Sequence, residues 1–194
     1  EEMEMETESM EEKMDRTLEL FKNMELDQKL ENLEEQLREL SEEQEELMEK
    51  SEEGEMSEEE LLREQEELNE KFDEIQKDMD EIEEKNEDLE RPRDMDFNED
   101  MEQQIDQEMN DSKENLENGK QKKSEKNQQK ASDMLQQMAD DVAAMKSAGE
   151  QKQAQEDMDA LRFLLENLIA LSHEQEDLMD TYELTRTDDP YYLE

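Results

Sequence analysis

Apolar residues recur along this chain at intervals of three and four positions, the spacing of one face of an α-helix. The clearest run lies between Ser57 and Arg91 and alternates by four and three without a slip: Leu61, Gln65, Leu68, Phe72, Ile75, Met79, Ile82, Asn86 and Leu89. Two of its positions, Gln65 and Asn86, are polar. A run of this length predicts a helix, and polar residues within a packing stripe often fix the register of neighbouring helices.

Boundary signals place this helix at about 57–90. Ser57 and Glu60 have the spacing of a capping box, and Pro92 disfavours helical geometry in the residue before it. An earlier run predicts a helix at about 13–50. After Met14, Leu18 and Phe21 and a slip in phase, it continues with Leu26, Leu30, Leu33, Leu37, Leu40 and Leu47, and Gln44 occupies the skipped position. Residues 1–12 are acidic without a clear stripe and are expected to be frayed or disordered.

Two more helices follow. The third, at about 98–147, has a stripe interrupted at 117–130: Met101, Ile105, Met109, Ser112 and Leu116, then Ala131, Leu135, Met138, Val142 and Met145. One continuous helix with a loosened middle at Gly119 is the favoured interpretation, and a short break there is the alternative. The sequence Ser147-Ala148-Gly149 is expected to end it. The fourth helix, 151–182, has two adjacent apolar stripes, which predicts a hub packed against several neighbours. Residues 183–194 are expected to form a short tail.

These runs predict an all-α fold, an elongated antiparallel bundle or coiled coil of about four long helices over residues 13–182. Short links favour antiparallel neighbours. The chain of 194 residues has 3 Gly and 2 Pro, too few for the turns of a sheet. Its composition, 30% hydrophobic and 46% charged, is also typical of disorder, and the periodicity favours helices instead.

The net charge of −45 changes which partners are expected. Nucleic acid and anionic membrane surfaces repel such a chain, and no apolar run approaches the ~18 residues of a membrane span. We therefore expect one or more protein partners, no nucleic acid, no direct membrane insertion by this segment, and a possible homo-oligomer. The chain has no Cys, which excludes disulfides and thiol catalysis.

One segment has the spacing of a metal-binding loop. Asp94, Asp96, Asn98 and Asp100 alternate as in the first half of an EF-hand calcium loop. The second half does not fit: the sixth residue is Glu99 rather than Gly, and the twelfth is Ile105 rather than Glu. The favoured interpretation is that these residues cap and begin a helix, because acidic groups interact favourably with a helix N-terminus. No metal site and no cofactor is predicted.

Other candidate side chains favour packing or surface roles. His173 begins a zinc-protease-like H-E-Q-E-D, but Asp177 stands where the second His belongs, and with no Cys a zinc site is not expected. Met3 and Met5 form a candidate copper pair, whereas Met79, Met138 and Met179 fall on packing positions. The basic cluster is expected to neutralise a neighbouring acidic helix: Lys120, Lys122, Lys123, Lys126 and Lys130. No nucleophile–base pair is evident, so no enzyme is predicted.

Several stretches resemble a family of large bacterial proteins of unknown function found in the Bacteroidota. They are KFDEIQKDMDEIEEKNEDLERPRDMD, QKASDMLQQMADDVAAM and above all DMDALRFLLENLIALSHEQEDLMD. The resemblance covers about residues 14–190 and implies membrane anchoring outside this chain, a location at the bacterial cell envelope, and a helix junction at RPRDMD. Because the chain starts with Glu1, it is expected to be a piece of a longer protein.

Three functions follow as hypotheses. The leading one is a non-enzymatic helical scaffold or protein-interaction segment of a larger envelope-associated protein. The first alternative is an acidic, chaperone-like holdase for basic or unfolded clients. The second alternative is a calcium-responsive helical module, which depends on the segment around Asp96.

Overall fold

A computed structural model describes the backbone of residues 2–184. Within that range it also describes the side chains, except those of residues 2–13, 156, 160, 181, 183 and 184. Throughout this part of the chain the regular structure is α-helical, in four helices: α1 (Glu2–Glu53), α2 (Glu58–Glu87), α3 (Glu99–Glu117) and α4 (Gln121–Leu184). The predicted all-α class with four helices is confirmed. The chain divides into two compact units, Glu1–Gly149 and Glu150–Glu194.

Within the first unit, neighbouring helices run antiparallel. Lys85 of α2 pairs with Glu25 of α1 at 2.7 Å, whereas Lys71, earlier in α2, pairs with Glu43, later in α1. Three further ion pairs join the other neighbours: Lys113 of α3 to Glu66 of α2, Lys130 of α4 to Glu108 of α3, and Lys146 of α4 to Glu31 of α1. The helices therefore form a closed bundle in which α4, up to Gly149, packs against both α3 and α1.

The core of this bundle consists of the apolar residues of the predicted stripes. Six leucines of α1 are buried, each at most 1% exposed: Leu26, Leu30, Leu33, Leu37, Leu40 and Leu47. The stripes of the other helices meet them with Leu61, Phe72, Ile75, Ile82, Ile105, Met109, Leu135 and Val142, among others. Burying one such side chain contributes about 1.5–3 kcal/mol relative to leaving it exposed. The spacing from Leu26 to Val142 thus predicted these core positions correctly, whereas Met14, Leu18 and Phe21 at the start of the α1 stripe are 57–66% exposed and lie outside the core.

Helix ends follow the local sequence signals. The predicted capping box is present: the Ser57 backbone N–H donates to Glu60 Oε2 at 2.9 Å, and the Ser57 hydroxyl accepts from the Glu60 N–H. This backbone hydrogen bond, together with the hydroxyl group, lowers the pKa of Glu60. Asn98 caps α3 by accepting from the Met101 N–H at 3.1 Å. These caps set the starts of α2 and α3 at the expected positions.

A glycine in the left-handed region ends each of two helices. Gly119, with φ of 65°, follows α3, and its N–H donates to Leu116 O while the Lys120 N–H donates to Asn115 O. Gly54, with φ of 69°, follows α1 with the same hydrogen-bond pattern. This is the Schellman arrangement, which favours glycine because the residue has no Cβ. The preferred continuous helix through Gly119 is therefore wrong, and the alternative, a short break, is right.

Other predicted bounds need correction. α1 begins at Glu2, so the frayed or disordered tract expected at 1–12 is helical from residue 2. α4 continues through Ser147-Ala148-Gly149 to Leu184, where two separate helices were expected. Nothing there stops it, because Ser, Ala and Gly lower helix propensity by at most about 1 kcal/mol each. Of the expected tail at 183–194, residues 183 and 184 belong to α4, and residues 185–194 lie outside the described part.

Candidate functional site

The predicted calcium segment is an extended link between α2 and α3. Buried and exposed side chains alternate along this link: Arg93, Met95 and Phe97 are half-buried or buried against the bundle, while Asp94 and Asp96 are exposed to solvent. Extended backbone places successive side chains on opposite sides. The alternate spacing of the acidic residues thus results from the burial of the residues between them, with Phe97 only 5% exposed in the core.

The acidic residues line an open cleft of about 770 Å³ that includes Asp141, Ala144 and Met145 of α4. Asn98 uses its side-chain oxygen as the helix cap, and Ile105, the twelfth residue of the supposed loop, is fully buried. Within the described part of the chain, no group of three or more His, Asp or Glu residues is placed to hold a metal ion. The candidates Asp94, Asp96, Asn98 and Asp100 thus share a surface without converging on a common point.

A layer of buried polar side chains crosses the middle of the bundle. Gln65 is central: its side-chain oxygen accepts from Gln44 Nε2 at 3.0 Å, from Ser112 Oγ at 2.8 Å and from Gln128 Nε2 at 3.0 Å. In return, Gln65 Nε2 donates to Gln44 Oε1 at 3.0 Å. Ser112 also lies 2.8 Å from the Ser124 hydroxyl. Each of the four helices contributes at least one member, and all five side chains are fully buried.

This layer contains amides and hydroxyls but no titratable group, so it offers no acid or base for catalysis. Its consequence is geometric: sliding one helix against the others would leave buried donors without acceptors, which costs about 1–3 kcal/mol per group. The sequence correctly marked Gln44 and Gln65 as polar positions within the apolar stripes and placed Ser112 on the stripe of α3. It missed Ser124 and Gln128, which lie in the stretch 117–130 without large apolar residues, because small and polar side chains here replace the apolar stripe.

Asn86, the other polar stripe residue, fixes the link rather than a facing helix. Its side chain donates to Arg93 O at 2.9 Å and accepts from the Arg93 N–H at 2.7 Å. The Arg93 guanidinium group is hydrogen-bonded to Asp27 and, at 3.0 Å, to Asn23 Oδ1. A Cβ atom built on Gly149 would lie 2.9 Å from Arg93 Nη1. Gly149 therefore permits Arg93 to pack closely against α4, which explains a glycine inside that helix.

A second acidic cluster lies beside Phe97, where Asp80 and Glu83 of α2 and Glu99 and Glu102 of α3 line one cleft. Burial raises the pKa of Glu102, a hydrogen bond from Gln76 opposes the shift, and the carboxylates of Asp80 and Glu99 add to it. Burial also raises the pKa of Glu83, again with a contribution from Asp80. Lowering the pH protonates these carboxylates. Protonation therefore reduces electrostatic repulsion within this cluster of the folded protein.

The remaining candidates occupy surface positions. His173 is exposed, and its Nδ1 lies 3.8 Å from Glu176 of the next turn. The side chains of Met3 and Met5 lie outside the described part. In the basic cluster, Lys130 pairs with Glu108 of α3 at 2.7 Å, which agrees with the expected neutralisation for that lysine. Of the three packing methionines, Met79 and Met138 are buried, whereas Met179 is 61% exposed.

The second unit holds an uncovered apolar surface. In residues 158–182 the large apolar side chains are between 50% and 70% exposed, so the predicted hub role of this helix is wrong. We define the α4 apolar face by Met158, Leu161, Leu164, Leu165, Leu168 and Leu171, which recur at three- and four-residue intervals on one side of the helix. Arg162, Glu166 and His173 lie on the other side. The sequence correctly predicted the apolar stripes of this helix, but the predicted burial of these stripes against neighbouring helices is wrong.

The fold and these surfaces define an all-α helical-bundle protein with an exposed apolar helix face. A comparison of the chain with protein-family models, curated proteins and solved structures finds no match. No helix in the described part of the chain combines the length and the apolar character that crossing a membrane requires.

Proposed function

We propose that this chain is a non-enzymatic helical scaffold whose α4 apolar face binds a protein partner. The observation that carries the proposal is the exposure of that face, for example 66% for Leu161 and 63% for Leu168. Contiguous exposed apolar surface on a soluble protein commonly marks an interaction site. A helix with apolar residues every three or four positions matches the groove or helix face of another protein.

The first unit supports the scaffold part of the proposal. From Leu26 to Val142 its apolar stripes are buried against one another, and its polar layer holds four helices in one register. The side chains gathered in that layer are neutral amides and hydroxyls, which suit alignment rather than acid–base chemistry. A place within a larger envelope-associated protein, implied by the resemblance to the Bacteroidota family, is part of the same proposal.

The test is affinity capture with the full chain in its native cells, followed by crosslinking and mass spectrometry. We expect one stoichiometric partner crosslinked near residues 158–171. Replacing Leu161 and Leu168 by Ser should abolish capture. The matched control replaces Phe163 and Ala170 by Ser, because both are exposed on the opposite side of the same helix. Equal capture by both double variants would refute a role for the apolar face.

A holdase for basic or unfolded clients is the second candidate. The same face favours it, because Met158 within the face and the exposed Met179 beyond it adapt to varied partners, and the sequence around them is acidic. The two proposals differ in stoichiometry. Suppressed aggregation of many unrelated basic proteins would support the holdase, whereas a single partner at a fixed ratio supports the scaffold.

A further inference from the structure

We infer that the partner of the α4 apolar face is an amphipathic helix with an aliphatic face and a Lys or Arg residue at each end of that face. This inference rests on the proposed function and adds the chemistry of the partner. It starts from the positions of the charged side chains around the face.

Between Met158 and Leu171 the face is free of charge, and an acidic residue lies on the same side beyond each end. Asp157 lies four residues before Leu161 and seven before Leu164, on the same side of the helix. Glu176 follows Leu165 by eleven residues, three helical turns, and so returns to that side as well. Both acidic side chains are exposed. They stand about 28 Å apart along the helix axis at 1.5 Å per residue.

Basic residues do not offset these carboxylates on the apolar side. The second unit contains only Lys152 and Arg162 as basic residues within 150–184, and Arg162 lies on the opposite side, 3.8 Å from Asp159. His173 approaches Glu176 at 3.8 Å but carries charge only when protonated. A partner that covers the aliphatic residues therefore meets negative charge at both ends.

This charge pattern discriminates between occupants. A second copy of the chain would bring its own net charge of −45 against the same surface, and an anionic lipid surface would be repelled in the same way. A partner helix with basic residues about 28 Å apart has complementary charge as well as a complementary apolar face. Such complementarity favours the correct partner and raises the rate of association.

The experiment measures binding of the full chain to two synthetic peptides by fluorescence anisotropy. Both peptides are amphipathic helices with the same leucine face, one with Lys and the other with Glu at both ends of that face. We expect the Lys peptide to bind at least about tenfold more tightly at low salt, with a smaller ratio at physiological salt because exposed charges are screened. Equal binding of the two peptides would overturn the inference.

Two variants locate the charges. Removing the end charges by Asp157→Asn with Glu176→Gln should weaken the Lys peptide about fivefold, since exposed ion pairs are individually weak. The matched control removes one Asp and one Glu from the opposite side by Asp159→Asn with Glu166→Gln, and should change binding little. An equal loss in both variants would indicate general electrostatic attraction and overturn the end-charge assignment.

Three outcomes separate this inference from the proposed function. A cellular partner captured through Leu161 and Leu168 but with acidic or neutral ends to its helix would refute the inference and leave the scaffold standing. Dimerisation of the full chain in light scattering, lost in the Leu161→Ser and Leu168→Ser variant, would identify a second copy as the occupant and refute it as well. Failure to capture any protein would count against the scaffold itself.

Discussion

Replacing Gln65 by Leu tests whether the buried polar layer determines the stability of the bundle. The substitution removes the acceptor of three buried donors, on Gln44, Ser112 and Gln128, at distances of 2.8–3.0 Å. The leucine has a similar size, so the change removes the hydrogen bonds without opening a large cavity. The layer reaches every helix of the bundle, and the effect should therefore be global.

The expected magnitude follows from those three donors. A buried polar group left unsatisfied costs about 1–3 kcal/mol, so three groups set a range of about 3–9 kcal/mol. Two effects reduce this loss. The Ser112–Ser124 hydrogen bond survives, and the buried leucine contributes favourable apolar burial of about 1.5–3 kcal/mol. We expect a net loss of about 2–4 kcal/mol in the free energy of unfolding.

Urea unfolding followed by far-ultraviolet circular dichroism measures this loss. Gln107→Leu is the control: Gln107 is exposed in α3, and a surface substitution there should change stability by no more than about 0.5 kcal/mol. A Gln65→Leu variant as stable as the unmodified chain would refute the reasoning, because it would show that the buried donors find other partners at no cost.

Replacing the whole buried polar layer by apolar residues distinguishes its effect on the stability of the bundle from its effect on the alignment of the helices. Leucine at Gln44, Gln65 and Gln128, with alanine at Ser112 and Ser124, removes donors and acceptors together, and should recover most of the lost stability. The hydrogen bonds that select one alignment are then absent, so we expect more than one set of amide resonances by NMR. A single sharp set would show that the apolar stripes alone fix the register.

Three further predictions concern other parts of the molecule. Gly149→Ala should stabilise the chain in urea unfolding by clearly less than the about 1 kcal/mol that alanine gains over glycine in an unobstructed helix, because the new methyl group displaces the Arg93 side chain. A gain of the full amount would contradict the packing described. The melting temperature at low salt should rise as the pH falls from 7 towards 4.5. Glu83 and Glu102 have folded-state pKa values above the unfolded value, so their ionisation lowers the stability of the folded state and protonation restores it. Glu102→Gln should therefore reduce the rise in melting temperature. Calorimetric titration of the chain with Ca²⁺ at physiological salt should show no saturable micromolar binding. Such binding, if the Asp96→Ala variant lost it, would support the calcium-responsive module instead.

Lower pH eventually acts in the opposite direction. The side-chain hydrogen bond with Lys85 lowers the pKa of Glu25, and that with Lys29 lowers the pKa of Glu81. Groups with depressed pKa values contribute stability above their unfolded pKa and lose it as the pH falls through the folded value. The rise in melting temperature should therefore end, and reverse, below the ordinary glutamate pKa of 4.5.

Local signals were sufficient for the starts of α2 and α3 and for most of the core positions between Leu26 and Val142. The capping box at Ser57, the cap at Asn98 and the apolar spacing from Leu61 to Leu89 each depend on residues close together in the chain. Such signals work because backbone hydrogen bonds and side-chain periodicity in a helix are set within a few residues. The all-α class follows from them directly.

The break at Gly119 and the continuity at Gly149 show where this reasoning stops. Both glycines follow residues that tolerate a helix, and their sequences alone do not distinguish them. Gly119 adopts the left-handed conformation that ends α3, whereas Gly149 stays helical beside the Arg93 side chain, far away in the sequence. Contacts over long separations decide such cases, and a local pattern contains no information about them.

The same division holds for the candidate sites. The sequence by itself determined that the D-x-D-x-N segment lacks the Gly and Glu of a calcium loop, and that residues 158–182 form an amphipathic helix. Only the tertiary structure decided that Asp94 and Asp96 alternate with buried or half-buried side chains, that Gln65 accepts hydrogen bonds from three other helices, and that the apolar face of α4 is uncovered. Periodicity states which side of a helix is apolar, but burial depends on what packs against that side.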